Sequence, residues 1–376
     1  MEKHNEVIVV GGNHYNTLWV ARSLGIKGYK VNVIILDNVC KSFISHSRYV
    51  VNTYIVSSPD SLLDLLLTKR LAPNKTVLIS ASDSAAEFLD KYLDQLSSLY
   101  YLSNCQNIQG RLVYWMDKKN MIEAANKVGL ICIPTITLNL EKSDDKQISE
   151  LSYPILIKPE MSSHGSKSDF RICNDFVSLK KTLNELRNSC QHILIQKYIK
   201  PDFEINLMGV RYKEKCIIPG LVRKVKTCNS THNMGMMTYS YLTNKLEDFI
   251  NKDIVEKFVK EIGYNGIFSM EFIIEKGIPY FLEINMRTDG TMYMHTDAGV
   301  NLPQIWADFN YQGESYGPFN YQKNRVYGMT EISYVKYLDW KRPIEAIKDW
   351  WRTDCYSIFS WTDIKPFIYK FVYELF

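Results

Sequence analysis

The sequence predicts two unlike architectures in series, a parallel α/β sheet followed by a larger α+β unit. Up to about residue 112, short apolar runs alternate with amphipathic stretches, as in a sheet with helices on its faces. Beyond it, β-rich runs lie close together and are joined by hairpin-length turns. At ~100–200 residues per domain, 376 residues are also too many for one core. Hydrophobic residues at 46% exclude a disordered chain, and a net charge of +4 without a basic tract gives nucleic acid no footprint. The eight cysteines form no C-x-x-C pair, which argues against a zinc module or a disulfide scaffold. An apolar run at 7–10 is too short for a signal-peptide core, and no run approaches the ~20 residues of a membrane span. The expectation is a reduced, cytoplasmic protein.

Residues 6–10 read as the first strand, broken by Gly11-Gly12, with a helix from 17 to about 27 closed by Gly28. Residues 31–36 form a second strand ending in Asp37. Ser57-Ser58-Pro59-Asp60 caps a leucine-rich helix through Leu67, 76–80 is a buried strand, and Asp83 or Ser84 caps a helix to about Leu96. Residues 1–112 are therefore Rossmann-like. The glycine turn departs from G-x-G-x-x-G at Asn16, while Asp37 lies where a ribose-binding carboxylate would. A dinucleotide site and a plain tight turn facing a ligand edge both remain open.

The second unit, 113–312, opens with a helix begun by Asp117-Lys118 and closed by Gly129. Strands follow at 153–160, 192–199, 203–211 and 216–225, with a Ser/Gly loop at 162–168, a helix after Asp175 and a long helix at 246–262. Two β-rich runs then flank a Glu-Lys-Gly turn. With the turn centred on Gly277, residues summing to 554 pair, and Glu271 faces Glu283. Alternation puts Met270, Phe272, Ile274, Tyr280, Leu282 and Ile284 on one face. Glu271, Glu283, Asn285 and Arg287 take the other, with Ile273 and Phe281 nearer the turn. Opposed carboxylates ~5 Å apart repel by ~3 kcal/mol at an effective dielectric near 20. Either a divalent cation with oxygen ligands or a bridge from Arg287 would offset that.

At these residues the sequence resembles the ATP-grasp superfamily of ligases, over residues 1 to about 310. The resemblance implies a two-lobed ATP-grasp domain, its lobes split near 200, behind a domain like that of carbamoyl phosphate synthase-like and D-aspartate ligase-like members. It assigns Glu271, Glu283 and Asn285 to two Mg²⁺ ions (Mn²⁺ being an acceptable substitute) and Arg287 to the transferred phosphoryl group. Tyr153-Pro154-Ile155-Leu156-Ile157-Lys158-Pro159 resembles the family's P-x-x-x-K-P strand, whose lysine reaches the ATP phosphates, and Lys118 resembles an earlier phosphate-contacting lysine. Ser163 and Gly165 fall in the counterpart of a glycine-rich phosphate loop. Gln196, Lys197 and Ile199 fall at the adenine hinge, with Glu204 at the ribose and Arg223 at the triphosphate.

The activity implied is ATP-dependent joining of a carboxylate to an amine through an acyl phosphate. Small-molecule carboxylate and amine substrates are the expected partners, and self-association into a homo-oligomer is compatible with the sequence. A carbamoyl- or carboxyphosphate-forming enzyme using bicarbonate, and a nucleotide sensor without turnover, are the rival readings. Thr288 to Thr296 is the expected acceptor pocket, with Gly12-Asn13-His14 as its opposite wall. Residues 313–376 form an aromatic-rich extension whose apolar residues after Pro366 recur at helical spacing. Such a helix suits a core cover, a partner interface or a membrane surface.

Overall fold

The computed structural model describes residues 6–69, 71, 74–140, 151–159, 171–187, 191–227, 236–243, 245–313, 321–336 and 343–373. The first sheet comprises β1 (Glu6–Gly11), β2 (Lys30–Leu36), β3 (Val50–Val56), β4 (Thr76–Ser80) and β5 (Tyr100–Tyr101). All pair in parallel in the order β3-β2-β1-β4-β5. Val7 to Val10 are fully buried, as expected where helices cover both faces. Those helices are α1 (Tyr15–Gly25), α2 (Pro59–Thr68), α3 (Asp83–Lys91) and α4 (Leu93–Leu96). Helix α1 starts two residues before its expected position because the His14 ring nitrogen accepts the Asn16 N–H and caps it. Ser82, rather than Asp83 or Ser84, caps α3.

A short strand β6 (Asn104–Cys105), then α5 (Arg111–Met116) and α6 (Lys118–Val128), lead into the second unit. The Asp117 carboxylate accepts from the Lys119 and Asn120 N–H groups, and Gly129 ends α6 at φ +96°. Next comes a small antiparallel sheet, ordered β7-β10-β8-β9, of β7 (Thr135–Asn139), β8 (Ile155–Pro159), β9 (Arg171–Cys173) and β10 (His192–Lys197). It is packed on α7 (Phe176–Leu186), which Asp175 caps.

The large sheet holds β11 (Phe203–Tyr212), β12 (Lys215–Ile217), β13 (Gly220–Thr227), β14 (Met236–Thr243), β15 (Tyr264–Glu275) and β16 (Ile278–Asn285). Two strands from the chain's last quarter, β17 (Arg325–Met329) and β18 (Cys355–Tyr356), extend it in the order β16-β15-β11-β13-β14-β17-β18. Helices α8 (Lys252–Glu261), α9 (Met292–Asp297), α10 (Leu302–Gln312), α11 (Glu331–Lys336), α12 (Pro343–Arg352) and α13 (Lys365–Tyr373) complete the chain. Two expectations fail here. The long helix is ten residues, because the Asn251 side chain accepts from Asp253 and Ile254 N–H and starts it late. The strand expected at 216–225 is two strands, separated at Ile218-Pro219 where proline offers no N–H to a ladder.

Buried polar contacts fold the tail on itself and strap it to the first domain. The Glu331 carboxylate, 1% exposed, accepts from Ser357 N–H and Oγ, Ile358 N–H and Phe359 N–H at 2.6–2.9 Å. Arg22 and Asp363 form an ion pair at 2.9 Å with both side chains 1% exposed, and Ser47 and the Arg48 N–H also donate to Asp363. Helix α13 then lies over residues 43–46, with Tyr369 stacked on His46 at 4.1 Å. Removing one partner of such a pair leaves a buried uncompensated charge. Asp363→Ala should therefore cost ~3–5 kcal/mol in urea unfolding; a loss below ~1 kcal/mol would contradict the strap.

Candidate active site

The site begins at the β15–β16 hairpin. Lys276 and Gly277, at φ +51° and +79°, make a two-residue turn of the kind that matches strand twist. That turn pairs Glu275 with Ile278 and Phe272 with Phe281, one residue off the expected sum. A bulge at Leu282 then restores it, so Glu271 does face Glu283, and Ser269 faces Asn285. The bulge also reverses the faces near the turn. Phe281, 2% exposed, joins the core against Phe272 and Phe258, whereas Tyr280 and Leu282 turn to the carboxylate side. There they pack with Ile133, Ile199 and Ile273 into an apolar patch beside the acids.

Cations close around the pair. Lys224, 7% exposed, donates to Glu204 and lies 3.8 Å from Glu271. Burial works against its charge, but Glu271 and Glu204 outweigh it and raise its pKa. Lys118 sits 3.9 Å from Glu283. Lys158, at the end of β8, is pulled down to about 7, by burial first and then by Lys118, with Glu283 opposing. Arg223 does not join them. Alternation along β13 turns it to the opposite face, where its guanidinium covers the Phe203 ring at 4.0 Å; Lys224 takes the place expected of it.

Arg287 does not bridge the two glutamates. Its Nε and Nη2 grip both oxygens of Asp83 at 2.7 Å, its Nη1 reaches the Thr288 carbonyl, and Nη2 also donates to Asn285 Oδ1 at 3.2 Å. Asn285 Nδ2 in turn lies 3.4 Å from Glu271. Beneath this layer Asp289, 6% exposed, accepts from Asn206 Nδ2, Ser269 Oγ and Thr291 N–H and Oγ1. Burial alone would raise its pKa; the Ser269 and Thr291 donors lower it, keeping an anion under the site.

At the hinge, Gln196 is 4% exposed and its amide donates to Thr135 Oγ1 at 2.6 Å, so that amide nitrogen is held by the small lobe. Lys197 is exposed and Ile199 is in the apolar patch. Ser163 and Gly165 lie outside the described residues. The first domain supplies a wall. Thr288 docks on the Ser80 carbonyl, and Asn16 Nδ2 donates to Ala81 and Thr288 carbonyls at 2.9 Å. His14 is solvent-exposed, and its pKa is lowered to about 4 by partial desolvation, then by Arg287 and Lys370. A Cβ at Gly11 would lie 2.4 Å from Thr17 Oγ1, so the glycine turn serves close helix–strand packing. Asp37 accepts from Asn13 N–H, bracing that turn.

Glu271, Glu283 and the Asn285 amide oxygen form an all-oxygen donor set on one face, suited to Mg²⁺, which takes one or two carboxylates and leaves positions for phosphate oxygens. Among the described residues no group of three or more His, Cys, Asp or Glu offers a different metal site. Sequence reasoning named Asp289 only within the 288–296 stretch and Asp83 only as a helix cap, and missed Lys224 and the Ile133–Ile273–Leu282 patch. Strand alternation carried the signal for Lys224, but Asp83 is 204 positions from its partner and gave none.

The parallel sheet is thus followed by two largely antiparallel sheets, with the paired carboxylates and the lysines near them on one face. Residues 123–301 match the ATP-grasp domain family, and the chain carries an ATP-grasp domain. It is 27% identical over 180 residues to a formate-dependent phosphoribosylglycinamide formyltransferase of Sulfurisphaera tokodaii, covering 45% of this chain and 44% of that protein. It is also 27% identical over 161 residues to a carbamoyl phosphate synthase large chain of Lachnoclostridium phytofermentans, covering 42% and 15%. The chain thus spans under half the length of these two relatives. N5-carboxyaminoimidazole synthetase from Staphylococcus aureus, solved with ADP, superposes with a TM-score of 0.67 over 91% of this chain and 87% of that one, at 18% identity.

The Lys158 environment gives a titration prediction. Lys118→Met removes a cation that disfavours the charged form, so the Lys158 pKa should rise from about 7 toward 10.5 without reaching it. Carbon-13 NMR of methylated lysines reads this; an unchanged or lower value contradicts the assignment. With a folded pKa below the unfolded one, Lys158 adds no pH dependence to stability below pH 7. Between 7 and 10.5 the unfolded chain binds more protons, and stability from this group rises with pH.

Proposed function

We propose that the chain is an ATP-dependent carboxylate–amine ligase working through an acyl phosphate. The observation that carries this is the opposed Glu271–Glu283 pair with Asn285, ringed by Lys118, Lys158, Lys224 and Arg287. The reading is supported by the S. tokodaii relative, whose name marks it as using formate, a carboxylate.

Glu271, Glu283 and Asn285 would hold Mg²⁺, which supplies charge neutralisation at the phosphates. The Ile133–Ile199–Ile273–Leu282 patch offers the adenine ring an apolar seat beside the hinge, with Glu204 toward the ribose. Lys158 and Lys118 meet the phosphate oxygens. A substrate carboxylate oxygen attacks the γ-phosphorus, the bond to the β–γ bridging oxygen breaks, and ADP departs. The amine nitrogen then attacks the acyl carbon, the carbon–oxygen bond to phosphate breaks, and the amine loses a proton. Arg287, charged at any working pH, faces the transferred group and stabilises its developing charge. The Thr288–Thr291 loop and the His14 turn border the acceptor. The carbamoyl phosphate synthase likeness favours one second reading, in which bicarbonate is the carboxylate.

Incubation with MgATP and pooled carboxylates and amines separates these. ADP and phosphate released only with both substrates supports ligation, turnover with bicarbonate alone supports the second reading, and AMP with pyrophosphate contradicts the acyl-phosphate route. Glu283→Gln should lower turnover by more than ~100-fold while circular dichroism and melting stay close to the parent; retained activity would overturn the ligand assignment.

A further inference from the structure

Arg287 follows β16 by two residues, yet it is anchored by the connection between β4 and α3 in the other domain. Its neighbour Thr288 donates to the Ser80 carbonyl through both its N–H and its Oγ1, at 3.4 and 3.3 Å. Asn16 Nδ2 ties the Ala81 and Thr288 carbonyls together at 2.9 Å. Just beyond, Asp83 takes the guanidinium itself, with Nε on Oδ1 and Nη2 on Oδ2, both at 2.7 Å. Asp83 is the first residue of α3, whose start is fixed because the Ser82 hydroxyl accepts the Ala85 N–H at 3.2 Å. A capped helix end therefore places the carboxylate.

A guanidinium has five N–H donors in a fixed fork. Asp83 takes two, Asn285 Oδ1 takes the second Nη2–H at 3.2 Å, and the Thr288 carbonyl takes one from Nη1 at 3.0 Å. Among the described residues the fifth, on Nη1, has no acceptor. Parallel bonds to both oxygens of one carboxylate fix the plane of the fork, which a single bond would leave free to turn. Fixing the plane fixes the direction of the spare N–H. The pair does little for the fold, because the Asp83 side chain is 56% exposed and ion pairs in that setting are weak. Burial works against the Arg287 charge, and Asp83 more than offsets it. Arg287 is also the one ion-pair partner of Asp83 among the described residues.

We propose that Asp83 is a positioning residue for phosphoryl transfer, setting the plane of Arg287 from the first domain so that the remaining Nη1–H is offered to the transferred group. The proposal rests on the ligase reading above, which puts that group opposite Arg287. A donor oriented in advance acts on charge that develops during transfer, so the gain falls on the transition state and not on ATP binding. Transfer then depends on the first domain being docked at the Thr288 turn, while ATP is held by other side chains.

The test uses the full chain labelled with nitrogen-15 arginine, in which the Arg287 Nε–H resonance is identified by its loss in Arg287→Lys. That resonance should be sharp and slow to exchange with water in the parent, broadened in Asp83→Asn and recovered in Asp83→Glu. The same variants are then given MgATP with the pooled carboxylates and amines. Asp83→Asn should lower kcat about tenfold or more, with the ATP KM changed by less than about twofold. Its melting temperature should stay within ~3 °C of the parent. Asp83→Glu, which keeps the carboxylate, should regain a large part of the lost turnover. An Nε–H as ordered in Asp83→Asn as in the parent overturns the proposal. So do equal losses of turnover in the Asn and Glu variants, or a loss that appears in the ATP KM with kcat unchanged. A parent that turns over while Asp83→Asn matches its rate sinks this proposal alone. A parent that releases no ADP with any pool removes the ligase reading and this proposal with it.

Discussion

Two carboxylates held opposite each other across a β-ladder constrain everything around them. At ~5 Å and an effective dielectric near 20 their repulsion is ~3 kcal/mol, too large to leave uncompensated in a protein of ordinary stability. The hairpin cannot relieve it by slipping, because a one-residue slip would expose Phe281 and bury charge. Relief comes from outside, with Lys224 at 3.8 Å from one acid and Lys118 at 3.9 Å from the other. Those two lysines belong to different elements, β13 and the start of α6, so the acids draw separate parts of the domain onto one face.

The first domain is joined to this face by charge as well as by packing. Arg287 leaves β16 and is gripped by Asp83 at the start of α3, while Asn16 holds the following turn against the ends of β1 and β4. These are the carboxyl ends of parallel strands, where open α/β sheets bind ligands. The tail closes the arrangement from the other side. Its buried carboxylates at Glu331 and Asp363 fix α13 near the His14 turn, where Lys370 contributes to keeping that histidine neutral. The extension is thus part of the scaffold, two of its strands lying in the large sheet.

Local pattern carried most of what the sequence revealed. The strand at 76–80, the helix begun by Asp117 and the Glu271–Glu283 opposition all follow from periodicity, turn chemistry and capping within a few residues. The bulge at Leu282 was hidden, because the turn's true centre and the inserted residue cancel at the glutamates and only the burial of Phe281 exposes them. Arg223 was preferred to its neighbour since a basic run gives no phase by itself; the ladder to β11 sets it. Strand β3 was missed because its apolar residues do not alternate, Val51 and Ile55 being exposed beside buried Val56, and β17 and β18 because each is held mainly by a partner distant in sequence.

The two halves of the site therefore differ in how they are encoded. The half that carries Glu271, Glu283 and Asn285 is written in short spacings, since all three lie on one strand pair. The side toward the first domain and the tail is assembled from pairs such as Asn16 with Thr288, 272 positions apart, and Arg22 with Asp363, 341 apart. Substitutions there leave the carboxylates compensated, because Lys118 and Lys224 lie on α6 and β13, outside those contacts. The hairpin accordingly holds the carboxylate face, while the first domain, the Thr288 turn and the tail build the wall beside it.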